Sequence, residues 1–189
     1  MIAIAKGFEV KIHETNSLRT MHKFTFIDLI SHLEWSPDSN YILVGIAKRS
    51  VAFVKSLTDN DWACKIDEGL AGLVYCRWAS DSKHVLTVSD FKVRMTVWSI
   101  IDKSVQYIKN PKHESKGVSF SPSGKLMALA ERTQDSKDCV AIYDISTPTW
   151  ICVLKFTTDT LDLEDIRFSK DGQQMIVWDS AISNKLLVY

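Results

Sequence analysis

The residues Trp35-Ser36-Pro37-Asp38-Ser39-Asn40-Tyr41-Ile42-Leu43-Val44 read as one corner of a β-hairpin. An aromatic closes one strand, Ser-Pro-Asp supplies a turn, and a β-branched apolar run begins the next strand. Proline presets the backbone of such a turn, and Ser or Asp side chains bond back to it. The arrangement returns as Trp78-Ala79-Ser80-Asp81-Ser82-Lys83-His84-Val85-Leu86-Thr87. It returns again as Phe120-Ser121-Pro122-Ser123-Gly124-Lys125-Leu126-Met127-Ala128-Leu129 and Phe168-Ser169-Lys170-Asp171-Gly172-Gln173-Gln174-Met175-Ile176-Val177. The aromatic anchors stand 43, 42 and 48 residues apart.

A second feature keeps the same beat. Short strand-like runs at residues 9–12, 51–54, 94–97, 140–142 and 185–188 end near His13, Lys55, Trp98, Tyr143 and Tyr189. Those ends are 42, 43, 45 and 46 residues apart. About four short strands per repeat at this period is the signature of a β-propeller blade, whose faces are buried only by stacking on neighbouring blades. The expected fold is all-β: about four and a half four-stranded blades of an incomplete propeller, as one unit over residues 1–189. The blades are expected at roughly 1–17 (partial), 20–57, 62–100, 104–146 and 150–189. Trp35, Trp78, Trp98, Phe120, Phe168 and Trp178 are expected as core wedges between blades. An open arc leaves two sheet faces uncovered, so poor stability in isolation is expected.

Composition narrows the partners. Lys plus Arg (23) equal Asp plus Glu (23), so no overall field gathers nucleic acid or anionic membrane. The cysteines Cys64, Cys76, Cys139 and Cys152 form no CxxC pair and have no histidines at zinc-ligand spacing, which reads as free thiols in a reducing compartment. The amino-terminal apolar run is too short for a signal peptide core, and no stretch approaches the ~20 apolar residues of a membrane span. The cytosol, or a structure bathed by it, is the expected location.

At the level of specific strings the chain resembles the centrosomal and spindle-pole WD-repeat proteins of the WD repeat protein eight, or WRAP-seventy-three, family. The likeness rests on His32-Leu33-Glu34-Trp35-Ser36, Trp62-Ala63-Cys64-Lys65-Ile66-Asp67-Glu68-Gly69 and Ala71-Gly72-Leu73-Val74. It continues through Thr96-Val97-Trp98-Ser99, Lys103-Ser104-Val105, Tyr107-Ile108-Lys109, Pro111-Lys112, Met127-Ala128-Leu129-Ala130-Glu131-Arg132, Thr158-Asp159-Thr160, Asp162-Leu163 and Val177-Trp178-Asp179. Lys55 stands where a tryptophan is expected, the Trp-Asp dipeptide survives as Tyr143-Asp144, and the Gly-His dipeptide is missing. The resemblance implies a scaffold at the centrosome or spindle pole body. There it would work with a coiled-coil partner and microtubule-associated factors to anchor microtubule minus ends, support spindle assembly and aid cilium formation. A WD-repeat adaptor in ubiquitin ligation or vesicle traffic is the alternative, and fold alone decides neither.

No nucleophile elbow, phosphate-binding loop, HExxH or dinucleotide turn occurs, so no catalytic, cofactor or metal residues are assigned. The five histidines are scattered singly, and the acidic stretch Asp159–Asp165 lacks calcium-loop spacing. Candidate partner contacts are Trp62 as an exposed anchor, Asp67, Glu68, Glu131 and Arg132 as charges that packing does not demand, and Lys109 and Lys112. These last two belong to an expected basic cluster with Lys103 and Lys116. An internal salt-bridge network is the competing reading for Asp67, Glu68, Glu131 and Arg132. Reversing the charges at Glu68 and Arg132 is expected to weaken partner recruitment without unfolding the chain.

Overall fold

The computed structural model describes residues 1–133 and 135–189. It contains five antiparallel sheets and, among the described residues, no α-helix. The first sheet joins β1 (Ile2–Lys6), β2 (Glu9–His13) and β3 (Thr20–Thr25). The second joins β4 (His32–Trp35), β5 (Tyr41–Ile46), β6 (Val51–Ser56) and β7 (Ala63–Asp67). The third joins β8 (Tyr75–Trp78), β9 (His84–Val88), β10 (Arg94–Ser99) and β11 (Val105–Lys109). The fourth joins β12 (Val118–Phe120), β13 (Leu126–Arg132), β14 (Asp138–Asp144) and β15 (Ile151–Thr157), and the last joins β16 (Leu163–Phe168), β17 (Met175–Asp179) and β18 (Leu186–Val188). This is the expected all-β architecture of an incomplete propeller.

The expected blade limits are one strand out of step with these sheets. Thr20–Thr25, Ala63–Asp67, Val105–Lys109 and Ile151–Thr157 each pair with the sheet before them, not the one after. The sequence period marks the repeat, but where a sheet begins within it depends on which backbone each fourth strand bonds. An aromatic-turn signature cannot report that.

The signature does fix the first hairpin of the second to fifth sheets. Tyr41 N–H donates to Ser36 Oγ (2.9 Å), and Leu126 and Gln174 N–H donate to Ser121 and Ser169 Oγ (3.0 Å each). The fourth residue of the turn is left-handed in every copy: Ser39 (φ 62), Ser82 (φ 57), Gly124 (φ 69) and Gly172 (φ 71).

Alternation along the second strands sends successive side chains to opposite sheet faces, and so builds a core between each pair of neighbouring sheets. Ile42, Val44 and Ile46 pack with Val10 and Ile12 of the first sheet, whereas Leu43 packs with Trp78 and Val85 of the third. Leu86 and Val88 meet Met127 and Leu129, whereas Ala128 and Ala130 meet Ile166 and Val177. Of the expected aromatic wedges only Trp78 is fully buried. Trp35, Trp98, Phe120 and Phe168 are partly buried at the edges of these clusters, and Trp178 is partly buried outside them. Trp150, which carries no repeat signature, is buried in the core between the third and fourth sheets, and its backbone N–H donates to Gln106 Oε1 (2.9 Å).

Candidate functional site

Antiparallel order gives each sheet two ends. The loops between sheets and the turns joining second to third strands lie at one end, here the upper rim; the remaining turns form the lower rim.

On the upper rim a charged residue from the loop entering each full sheet reaches the turn between that sheet's second and third strands. In the second sheet, buried Asp28 meets Arg49 (2.8 Å) and Lys48 (3.5 Å). Its carboxyl is held low by the Leu29 N–H, which with Arg49 and Lys48 outweighs desolvation. In the third sheet, buried Glu68 accepts from Trp98 Nε1 (3.0 Å), Arg94 (3.1 Å) and the Thr87 hydroxyl. In the fourth the signs are exchanged. Buried Lys112 donates to Asp138 (2.5 Å), and also meets Asp162 (2.8 Å).

A further buried carboxylate, Glu131, accepts from Tyr143 Oη (2.6 Å) and Lys155 (2.5 Å). In the last sheet Asp179 accepts from the backbone of Leu161 (2.8 Å) and Asp162 (2.7 Å). Burial raises its carboxyl, but these N–H donors, with the Ser183 hydroxyl and the Ser180 N–H, prevail and hold it at about 2.

This geometry corrects three of the expected contacts. Glu68, Glu131 and Lys112 are buried, so their charges serve internal networks; a buried charge is retained only where partners compensate its desolvation. Charge reversal at Glu68 therefore acts on folding, not on a free surface. Arg132 is exposed but engages Asp162 (2.9 Å) and Asp138 (3.3 Å), and exposed Asp67 pairs with Lys65 (2.8 Å). Trp62 is partly buried on the lower rim, tilted against Tyr41 with ring centroids 5.1 Å apart, so it is not a free anchor.

Lys109 is exposed, as expected. The basic cluster divides: Lys103 lies in a lower-rim turn, whereas Lys109, Lys112 and Lys116 lie at the upper rim, with Lys116 paired to Glu164. The acidic stretch is charge-compensated in the same way, through Lys112, Arg132, Lys116, Arg167 and Lys185. No metal-ligating cluster occurs among the described residues.

All four cysteines are free thiols, and burial pushes Cys76 up to about 12, aided by the Glu34 charge. Among the exposed apolar surfaces is the upper rim around Leu70, Phe91 and Val93, which the sequence reading did not single out. Exposed apolar residues carry no repeat signature, and only the fold shows that these three stand outside the core.

No family model matches the chain. Over its whole length it is 40% identical to mouse WD repeat-containing protein WRAP73, and over 99% of its length 25% identical to the uncharacterized WD repeat-containing protein C32H8.09 of Schizosaccharomyces pombe. The chain spans 40% of the length of each of these relatives. Among solved structures, a Kuenenia stuttgartiensis hydrazine synthase chain superposes with a TM-score of 0.61 at 16% identity, covering 90% of this chain and 49% of the other, a likeness of fold alone. The repeat, the stacked sheets and the end-to-end likeness to the mouse protein make this a WRAP73-like WD-repeat chain.

Proposed function

We propose that the chain is part of a non-catalytic WD-repeat scaffold that works at the centrosome or spindle pole. There it binds a coiled-coil protein and microtubule-associated factors, anchors microtubule minus ends, and supports spindle and cilium assembly. The observation that carries this reading is the 40% identity to WRAP73 along the entire chain. The rim geometry supports a scaffold: rigid sheets present many loops side by side, which suits holding several proteins at once. Its buried charged residues fasten loops to sheets, and the thiols are free and, at Cys76, held protonated by burial.

The test is to tag the full-length protein and follow it through mitosis. Concentration at the poles, with spindle defects on its removal, is the expected result. A protein that stays diffuse throughout mitosis defeats the reading.

A further inference from the structure

We propose that the upper-rim tip formed by Leu70, Phe91 and Val93 docks a short acidic segment of a partner protein. The segment seats a bulky apolar side chain against Phe91 while its carboxylates meet Lys92 and Lys109. The proposal rests on the scaffold reading but not on where in the cell the scaffold works.

Three large apolar side chains from two loops stand together in solvent, with Leu70 109%, Phe91 92% and Val93 63% exposed. Phe91 is a ridge between two hollows. One, of about 270 Å³, is lined by Leu70, Val93 and Arg94; the other, of about 320 Å³, is lined by Lys92, Asn110 and Arg132. A clustered apolar surface of this kind costs solubility and is the usual centre of an interface, where a few bulky anchors carry most of the binding.

The backbone holds Phe91 outward at a cost. Phe91 (φ 58) and Lys92 (φ 56) are both left-handed, a region that bulky residues avoid. The turn is clamped from Ser89 to Arg94 by Ser89 N–H to Arg94 O (3.2 Å) and Arg94 N–H to Ser89 Oγ (3.3 Å). The Asp90 carboxylate lies over Gly72, where a Cβ would come within 2.3 Å of it, so the loop bearing Leu70 and the turn bearing Phe91 are seated on one another.

The charges choose the occupant. Lys92 and Lys109 are exposed and, among the described residues, neither has a carboxylate within the 4.0 Å of an ion pair, unlike the paired Arg94, Lys112 and Arg132 around them. Arg94 also lies over the exposed ring of Tyr107 (4.6 Å), adding a cationic face beside the apolar one. Free cations flanking an apolar ridge complement a segment that carries carboxylates around one large apolar side chain.

The probe is a phage-displayed library of random dodecapeptides selected on the chain, with the best peptide then measured by fluorescence anisotropy. Selected peptides are expected to carry Asp or Glu beside a bulky apolar residue. Phe91→Gly should weaken the best peptide about tenfold or more. Lys92→Glu with Lys109→Glu should weaken it and flatten its salt dependence, and Trp62→Ala on the lower rim should leave it unchanged.

Glycine accepts the left-handed turn, so Phe91→Gly should keep or raise the thermal midpoint, which separates a lost anchor from a lost fold. Basic peptides, no enrichment, or binding indifferent to Phe91 overturn the proposal. So does equal binding of a random single-stranded oligonucleotide, or a Phe91-dependent dimer in sedimentation, which would name a second copy as the occupant. Peptide binding without polar localisation fails the scaffold's location alone; localisation without peptide binding fails this site alone.

Discussion

Trp98 and Glu68 are joined across 30 residues of chain: the indole N–H donates to the buried carboxylate at 3.0 Å and to Thr87 Oγ1 at 2.9 Å. Arg94 meets the other carboxylate oxygen at 3.1 Å. A loop entering the third sheet is thereby tied to that sheet's second and third strands. Glu68→Lys should cost about 3–5 kcal/mol, since it puts a buried, uncompensated cation against the half-buried Arg94. Glu68→Gln keeps a hydrogen-bond acceptor and should cost about 1–2 kcal/mol. Urea unfolding of the two variants checks the order; equal midpoints would show that the charge contributes nothing there.

Lys112→Ala removes the ammonium that Asp138 and Asp162 share and leaves the buried Asp138 carboxylate with Arg132 (3.3 Å) and the Leu163 N–H (2.6 Å). A loss of about 3 kcal/mol is expected. Adding Asp138→Asn should recover part of it, because the orphaned charge goes. A double variant no more stable than Lys112→Ala would place the cost in lost packing of the lysine stem.

Asp179 sets an acid limb. Its folded carboxyl, at about 2, lies below the ordinary 3.8, so its contribution is full above about pH 4 and drains away as pH falls toward about 2. Asp179→Asn should lower stability at neutral pH and flatten the midpoint-against-pH curve in that window. Tryptophan fluorescence across acid titrations reads it out, and parallel curves for variant and parent would refute the linkage.

Ala128 is wholly buried between the fourth and last sheets, against Leu163 and Ile166. Ala128→Leu should cost about 1–3 kcal/mol by overpacking. Thermal melting decides, and an unchanged midpoint would mean that these two sheets do not sit closely.

Two strings that looked free of packing demands show what the sequence could and could not say. In Ala128-Leu129-Ala130-Glu131-Arg132, the small residues face the last sheet, Leu129 faces the third, and Glu131 is bonded to Tyr143 and Lys155. In Lys65-Ile66-Asp67-Glu68-Gly69, Ile66 is core and Glu68 ties loop to sheet. The turns and third strands were legible because Ser, Pro, Asp and Gly act locally, within a few residues. The charged fasteners were not, because their partners lie tens of residues away in sequence. The tip at Phe91 was invisible for the same reason: whether a phenylalanine is core or surface is decided by sheets it never touches.

The exchange of sign among the rim fasteners reaches beyond any one sheet. The second and third sheets are entered by acidic loops, Asp28 and Glu68, that meet basic turns; the fourth is entered by a basic loop, Lys112, that meets an acidic turn. Near-identical repeats in one chain tend to dock in the wrong order while folding. Here the Glu68 loop offered to Asp138 meets like charge, and Lys112 offered to Arg94 does the same, so the third and fourth sheets each disfavour the other's entering loop. The polarity swap acts as an address written along the rim, by which an otherwise repetitive chain tells its third blade from its fourth.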